Sequence, residues 1–207
     1  MLGQQIRAWE VLDDRVLRVL GETPREAFVP ADYRELAFAD IEIPIGHGQA
    51  MLAPKIQGKI LQALQIEPID TVLEIGTGTG YLTACMAQLG KQVVSVDIFS
   101  DLLESARRNL ADRNIRNVEL AAADGLTLDA PQAYDAIAVT GSVPELDEHF
   151  IRMLRPHGRL FIVVGRAPVM EARLITMGAN GQWTSSSLFE TVLTPLVNAE
   201  RPEPFVL

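Results

Sequence analysis

The chain has 207 residues, 48% of them hydrophobic and 22% charged. That is enough for one domain with a sizeable core, and it excludes disorder, collagen and a coiled coil as the main architecture. The 18 Lys and Arg against 27 Asp and Glu leave a formal net charge of −9, which repels polyphosphate and argues against general nucleic-acid binding. Cys85 is the only cysteine, so no internal disulfide can form and a reducing compartment is expected. The longest apolar runs, such as residues 160–164, fall far short of the roughly 18 to 20 residues a membrane helix needs. The opening MLGQQIRAWE has no apolar signal core. The expectation is a soluble cytoplasmic protein with no membrane or nucleic-acid partner.

In chain order, residues 4–20 space Ile6, Trp9, Val16 and Leu20 as a helix face would, and Gly21 and Pro24 end that helix. Residues 25–53 read as mostly irregular, with Pro30, Pro44 and the glycines of IGHGQ; so long a loop in a compact domain is usually functional. Pro54 opens a helix, because its missing N–H is not needed in the first turn, and Ile56, Ile60, Leu61 and Leu64 share one face. Pro68 and Asp70 break it. TVLEI is then a buried strand, residues 81–89 a helix and QVVSVDI a strand, and Ser100 caps a helix running to about Arg113. VELAAAD and YDAIAVT are further strands. A helix over about 145–154, a turn at Arg155-Pro156-His157-Gly158 and the strand RLFIVVG follow.

Strands alternating with helices make βαβ units, so the fold class predicted is α/β, with a doubly wound, mostly parallel sheet. Residues 172–177 and 187–193 flank Ala179-Asn180-Gly181, a hairpin signal that adds an antiparallel C-terminal edge. There are no repeats and no linker. The organisation expected is one domain over residues 1–207, with 1–53 an N-terminal helical and loop extension and 54–207 the core.

The most informative segment is Val72-Leu73-Glu74-Ile75-Gly76-Thr77-Gly78-Thr79-Gly80-Tyr81, which follows a strand and opens a helix. Its glycines let the backbone turn tightly and approach a ligand, and the helix start offers free N–H groups. The spacing departs from a dinucleotide fingerprint, G-x-G-x-x-G, because Tyr81 stands where the last glycine should be; nor is there the Gly-Lys-Ser/Thr of a P-loop. Glu74 beside the loop would repel a pyrophosphate and suits a ligand carrying an ammonium or sulfonium charge. Asp97 at the end of the second strand can accept two ribose hydroxyls, and Asp124-Gly125 at the end of the third can accept from an adenine amino group. Thr140-Gly141 ends the fourth. All four clusters fall at strand carboxyl ends, where open α/β sheets bind ligands. Together they point to S-adenosylmethionine as the cofactor, with no metal.

The loop VLEIGTGTGYLTACMAQLG with its following VDI resembles the first motif of class I S-adenosylmethionine-dependent methyltransferases, whose fold is Rossmann-like. Phe28-Val29-Pro30, Leu36-Ala37-Phe38-Ala39-Asp40 and Ile43-Pro44-Ile45-Gly46-His47-Gly48-Gln49, with Pro54 behind them, resemble protein-L-isoaspartate O-methyltransferases more specifically. DAIAVT, LRPHGRL and the closing FETVLTPLV also fit, so the resemblance spans nearly the whole chain. It implies methyl transfer to the free α-carboxylate of L-isoaspartyl residues in damaged proteins, with a protein or peptide bearing isoaspartate as partner and a monomer or weak homodimer as assembly. Carried over by position, Glu74, Gly76, Gly78, Gly80, Asp97, Asp124 and Thr140 would hold the cofactor. Their neighbours Thr77, Tyr81, Ile98 and Gly125 complete the candidate set.

The chain also departs from that family. The usual Thr-Ile-Ser after Gly-x-Gly-Gln is Ala50-Met51-Leu52 here, so a threonine and a serine hydroxyl are lost, the serine at Leu52 beside the expected methyl-transfer site. The usual Gly-Asp-Gly is Ala123-Asp124-Gly125, and a tryptophan-proline element is missing from LTLDAPQAYD. His47 and Gln49, with the Leu52 position, are the candidates for the catalytic role, and Gly48, Met51 and Lys55 for holding the acceptor. His47 could act as a base for a hydroxyl or amine acceptor, or only tie down its loop. Lys55 could neutralise a carboxylate or be solvated. Cys85, among apolar residues, reads as core. Two alternatives therefore stay open: a methyltransferase of the same fold for another substrate, or a non-catalytic S-adenosylmethionine-binding protein.

Overall fold

A computed structural model describes residues 7–199. Helix α1, Asp14–Glu22, is capped by Asp13, whose carboxylate accepts the Arg15 N–H at 2.8 Å. The helix expected over residues 4–20 is therefore shorter. Residues 4–6 lie outside the described chain, Glu10 turns at φ 66°, and the cap at Asp13 separates Trp9 from the Val16 and Leu20 face. Short 3-10 turns at Arg25–Ala27 and Ala31–Leu36 follow. The segment expected to be irregular then forms an antiparallel hairpin, β1 (Ile43–Gly46) and β2 (Gln49–Met51), because Gly46, His47 and Gly48 all take positive φ and reverse the chain.

Helix α2, Pro54–Leu64, starts on its proline as expected. The alternating part runs β3 (Thr71–Ile75), α3 (Tyr81–Leu89), β4 (Gln92–Asp97), α4 (Ser100–Ala111), β5 (Val118–Ala122), β6 (Tyr134–Val143), α5 (Glu148–Arg152), β7 (Leu154–Arg166), β8 (Val169–Met177) and β9 (Trp183–Glu190). Seven of these strands form one sheet in the order β5-β4-β3-β6-β7-β8-β9. The first five are parallel to their neighbours; β8 and β9 add the antiparallel edge. The α/β class and the C-terminal edge are as the sequence predicts.

Four local expectations are corrected. Ser100 does not cap α4; Phe99 holds the cap position and its N–H bonds to the Asp97 carboxylate at 3.0 Å. The helix expected over 145–154 is five residues long, because Leu154 is already paired with Tyr134 as strand. Residues 155–158 bulge within β7 rather than forming a separate turn: the pairing jumps from Tyr134–Leu154 to Ala136–Arg159. Finally, β6 runs past Thr140 to Val143, with its own irregularity between Ala138 and Ser142.

Period-two alternation sorts the core into two layers. Val72, Val93, Ala136, Ala138, Phe161 and Val163 face α2 and α3 on one side, in a cluster that also takes Val16, Leu20 and Phe28 from the N-terminal extension. Leu73, Ile75, Val96, Ile137, Val139, Leu160 and Ile162 face the other side with Phe150 and Ile151 of α5. Strands covered on both faces leave their carboxyl ends as the open edge of the sheet. Among the described residues no helix is long and apolar enough to cross a membrane.

Candidate active site

The carboxyl ends of β3, β4 and β6 open into one crevice. Gly76 and Gly78 line it from the loop after β3, Asp97 and Ile98 from the end of β4, Asp124 and Gly125 from the loop after β5, and Thr140 from β6. The β1–β2 hairpin contributes Ile45, Gln49 and Ala50, and Leu52 follows from the next segment.

The loop after β3 presents bare main chain. Gly76 sits at φ 95°, and a Cβ there would run into Thr140 Oγ1. That hydroxyl shares its proton between the Ile75 and Gly76 carbonyls, each 2.9 Å away. Gly78 sits at φ 53°, where a Cβ would stand 3.1 Å from Ile45 Cδ1 of the hairpin. The Gly78 N–H donates to Asp97 Oδ2 at 2.8 Å. With Phe99 N–H on its other oxygen, the Asp97 carboxylate is held in place by two main-chain donors. Each oxygen keeps a further lone pair for a ligand hydroxyl. Asp124 is fixed in the same way, by Leu126 N–H on Oδ1 and Asn198 Nδ2 on Oδ2, both at 2.9 Å.

Glu74 departs from its expected place. Its carboxyl lies inside the molecule, with no surface exposed, and does not line the crevice. Thr83 Oγ1 and Ser95 Oγ both donate to Oε2, Thr77 and Ser95 hydroxyls meet at 2.6 Å, and Oε1 is buried without a partner. Burial pushes this carboxyl up to about 8, so it is largely protonated at neutral pH. The expected repulsion of a pyrophosphate by Glu74 is therefore not its role; the crevice carboxylates are Asp97, Asp124 and Glu42. Thr77 likewise turns inward to Ser95. Gly80 caps α3 against Ala106 rather than facing the crevice.

A model of the protein-L-isoaspartate(D-aspartate) O-methyltransferase family matches residues 1–201. The chain belongs to that family. Among its relatives is the protein-L-isoaspartate O-methyltransferase of Methanoculleus marisnigri, 41% identical over 166 residues that cover 80% of this chain and 76% of that one. Protein-L-isoaspartate O-methyltransferase 1 of Anaeromyxobacter sp. is 35% identical over 202 residues, 96% of this chain and 95% of that one. A Plasmodium falciparum chain described as a protein-L-isoaspartate O-methyltransferase in complex with S-adenosyl-L-homocysteine superposes with a TM-score of 0.82. It covers 94% of this chain and 96% of that one; at 22% identity this shows the shared fold.

Of the positions the sequence singled out, Ala50 and Leu52 both line the crevice and neither carries a hydroxyl. Of the polar hairpin candidates, Gln49 reaches the crevice and the others do not. His47 sits at the hairpin tip, stacked on Phe99 with ring centroids 4.1 Å apart and Nε2 2.8 Å from Asp101. That contact fastens the tip to α4 and holds the Asp101 carboxyl below its usual range; it leaves His47 without an acceptor-side role as base. Gly48 only turns the hairpin. Lys55 does not line the crevice; it pairs with Asp40 at 2.7 Å and stands over Trp9. Met51 and Tyr81 line a smaller cavity beside the crevice, with Leu52, Gln57 and Gly78. The Tyr81 ring packs edge-on against Phe28, and its hydroxyl is pushed up by burial.

Sequence reasoning missed Glu42, Phe99, Leu196 and Asn198. Phe99 was within reach of the strand-end rule, two residues after Asp97. Leu196 reaches the crevice because Pro195 bridges to Ser142 at the end of β6, a pairing no local pattern announces.

Proposed function

We propose that this protein is an S-adenosylmethionine-dependent methyltransferase that esterifies the free α-carboxylate of L-isoaspartyl residues in damaged proteins. It would work in the cytoplasm as one domain, a monomer or weak homodimer. The observation that carries this reading is a single crevice in which a bare glycine loop and two pinned carboxylates meet the hairpin of the N-terminal extension. The residues fit the cofactor. The Cβ-excluding positions Gly76 and Gly78 let a nucleoside lie close, Asp97 offers lone pairs to a ribose diol, Asp124 and Gly125 stand for the base, and Ile98 adds apolar surface. The lining includes Glu42, Asp97 and Asp124 but no Lys or Arg among the described residues, which suits a cationic sulfonium and not a pyrophosphate.

Bound there, the cofactor supplies an electrophilic methyl group. The acceptor carboxylate is ionised at neutral pH, so the protein needs no general base, consistent with His47 lying outside the crevice. What the chain contributes is alignment and dryness. The Gln49 carboxamide can donate to the acceptor, while Ile45, Ala50 and Leu52 keep water from it. Each hydroxyl that Ala50 and Leu52 lack removes a donor whose loss costs about 1 to 3 kcal/mol in such settings, which slows the reaction without abolishing it. The test is transfer of labelled methyl to an isoaspartyl peptide, with the aspartyl peptide as control. Label in the first alone is expected; equal counts in both would overturn the assignment.

A further inference from the structure

Arg25 has no surface exposed to solvent. Its Nε donates to the Ala37 carbonyl at 2.7 Å, Nη2 to the Leu52 carbonyl at 2.8 Å, and Nη1 to Gln57 Oε1. Its guanidinium carbon lies 5.1 Å from the centroid of the Tyr81 ring. No carboxylate pairs with it among the described residues. Burial pulls it down to about 10, which still leaves it fully charged at neutral pH. An interior cation held only by neutral oxygens is a costly way to stabilise a core, and apolar packing of similar volume would serve stability as well.

The reason lies in which oxygens it holds. Leu52 directly follows β2 and Ala37 lies six residues before β1, so one side chain bonds both ends of the segment that carries the hairpin. Gln57 belongs to α2, the helix that leaves the hairpin, and Tyr81 is the first residue of the helix that leaves the glycine loop. Arg25 thus spans the two halves of the crevice from behind. Through the Leu52 carbonyl it also fixes the peptide whose side chain lines both cavities. Only a planar fork with donors in three directions can do this; a lysine ammonium on a flexible stem cannot.

We infer that Arg25 is a positioning residue for methyl transfer, setting the hairpin that receives the acceptor at a fixed distance from the glycine loop that receives the cofactor. The inference rests on the methyltransferase reading of the crevice. In-line displacement is sensitive to such spacing, since a misplacement of about 1 Å can cost about 100-fold in rate.

The test uses the full chain with Arg25→Lys. Four quantities are measured: thermal midpoint, S-adenosylhomocysteine affinity by calorimetry, kcat and KM for an isoaspartyl peptide, and hydrogen exchange of the hairpin amides. The variant should fold and bind S-adenosylhomocysteine within a few-fold of wild type. Its kcat should drop about 100-fold with a smaller change in KM. Exchange should quicken in residues 43–51 and stay unchanged in β3, β4 and β6. Wild-type kcat, or unaltered hairpin exchange, would overturn the inference. If Arg25→Lys does not fold, Gln57→Leu removes one of the three acceptors and is judged by the same exchange and kcat criteria. A wild-type protein that leaves the peptide unmethylated would refute the reaction instead, and hairpin exchange alone would then decide whether Arg25 holds the hairpin.

Discussion

Glu74 stands two residues before the first loop glycine, yet it faces the interior and two hydroxyls rather than the ligand crevice. Strand alternation alone does not separate these directions, because both faces of this sheet are buried. The consequence is a pH dependence. In the unfolded chain Glu74 ionises near its ordinary value of 4.5, whereas in the folded protein it holds its proton up to about 8. The folded state is therefore favoured below the lower value, and that contribution fades as pH rises through the window between them. Glu74→Gln keeps the acceptor oxygen and removes the charge. Relative to wild type, the variant should gain thermal stability steadily from about pH 4.5 to about pH 8. Melting curves of the two proteins across that window check this; parallel curves would mean that Glu74 is not forced to stay neutral.

Helix α3 shows how an element serves the site without entering it. Seven of its nine residues are buried, from Tyr81 to Ala87, so it is enclosed on nearly all sides. Its role is to carry the glycine loop on a rigid support, with Gly80 pressed to Ala106 of the neighbouring helix. Cys85 lies in the middle, fully buried, and desolvation pushes its thiol up to about 12. Thiolate is the reactive form, so native Cys85 should resist thiol reagents and react only as fast as the protein opens. Labelling followed by mass spectrometry, with and without denaturant, tests it. Rapid modification with circular dichroism unchanged would show that α3 opens locally. The hairpin is the contrasting element: its tip is fastened by exposed contacts from His47 to Phe99 and Asp101, and the segment that carries it by buried ones from Arg25 to Ala37 and Leu52.

Across the whole molecule, the sheet supplies a rigid edge and the charge supplies a field. A formal net charge of −9 surrounds a crevice lined by carboxylates. At low ionic strength such a field favours the approach of positively charged partners. For the proposed reaction, isoaspartyl peptides flanked by lysines should show kcat/KM up to about tenfold above those flanked by glutamates. The gap should close as salt shortens the screening length to about 3 Å near 1 M. Kinetics of the two peptides over a salt series decide it, and a preference that ignores salt would assign specificity to local contacts instead.

The amino-acid sequence by itself determined the α/β class, the glycine loop and the strand-end carboxylates Asp97 and Asp124. Each is a local pattern: alternation of apolar residues, glycines at a turn, an acid where a strand stops. The family loop was legible too, along with the absence of hydroxyls at Ala50 and Leu52. Only the tertiary structure decided which side chains face the crevice. Glu74 and Thr77 turned inward, His47 went to Asp101 and Lys55 to Asp40, outside the crevice, and Leu196 and Asn198 arrived from the far end of the chain. Those outcomes depend on contacts between residues far apart in sequence, such as Arg25 with Leu52 or Ser142 with Pro195, and no window of neighbouring residues contains them.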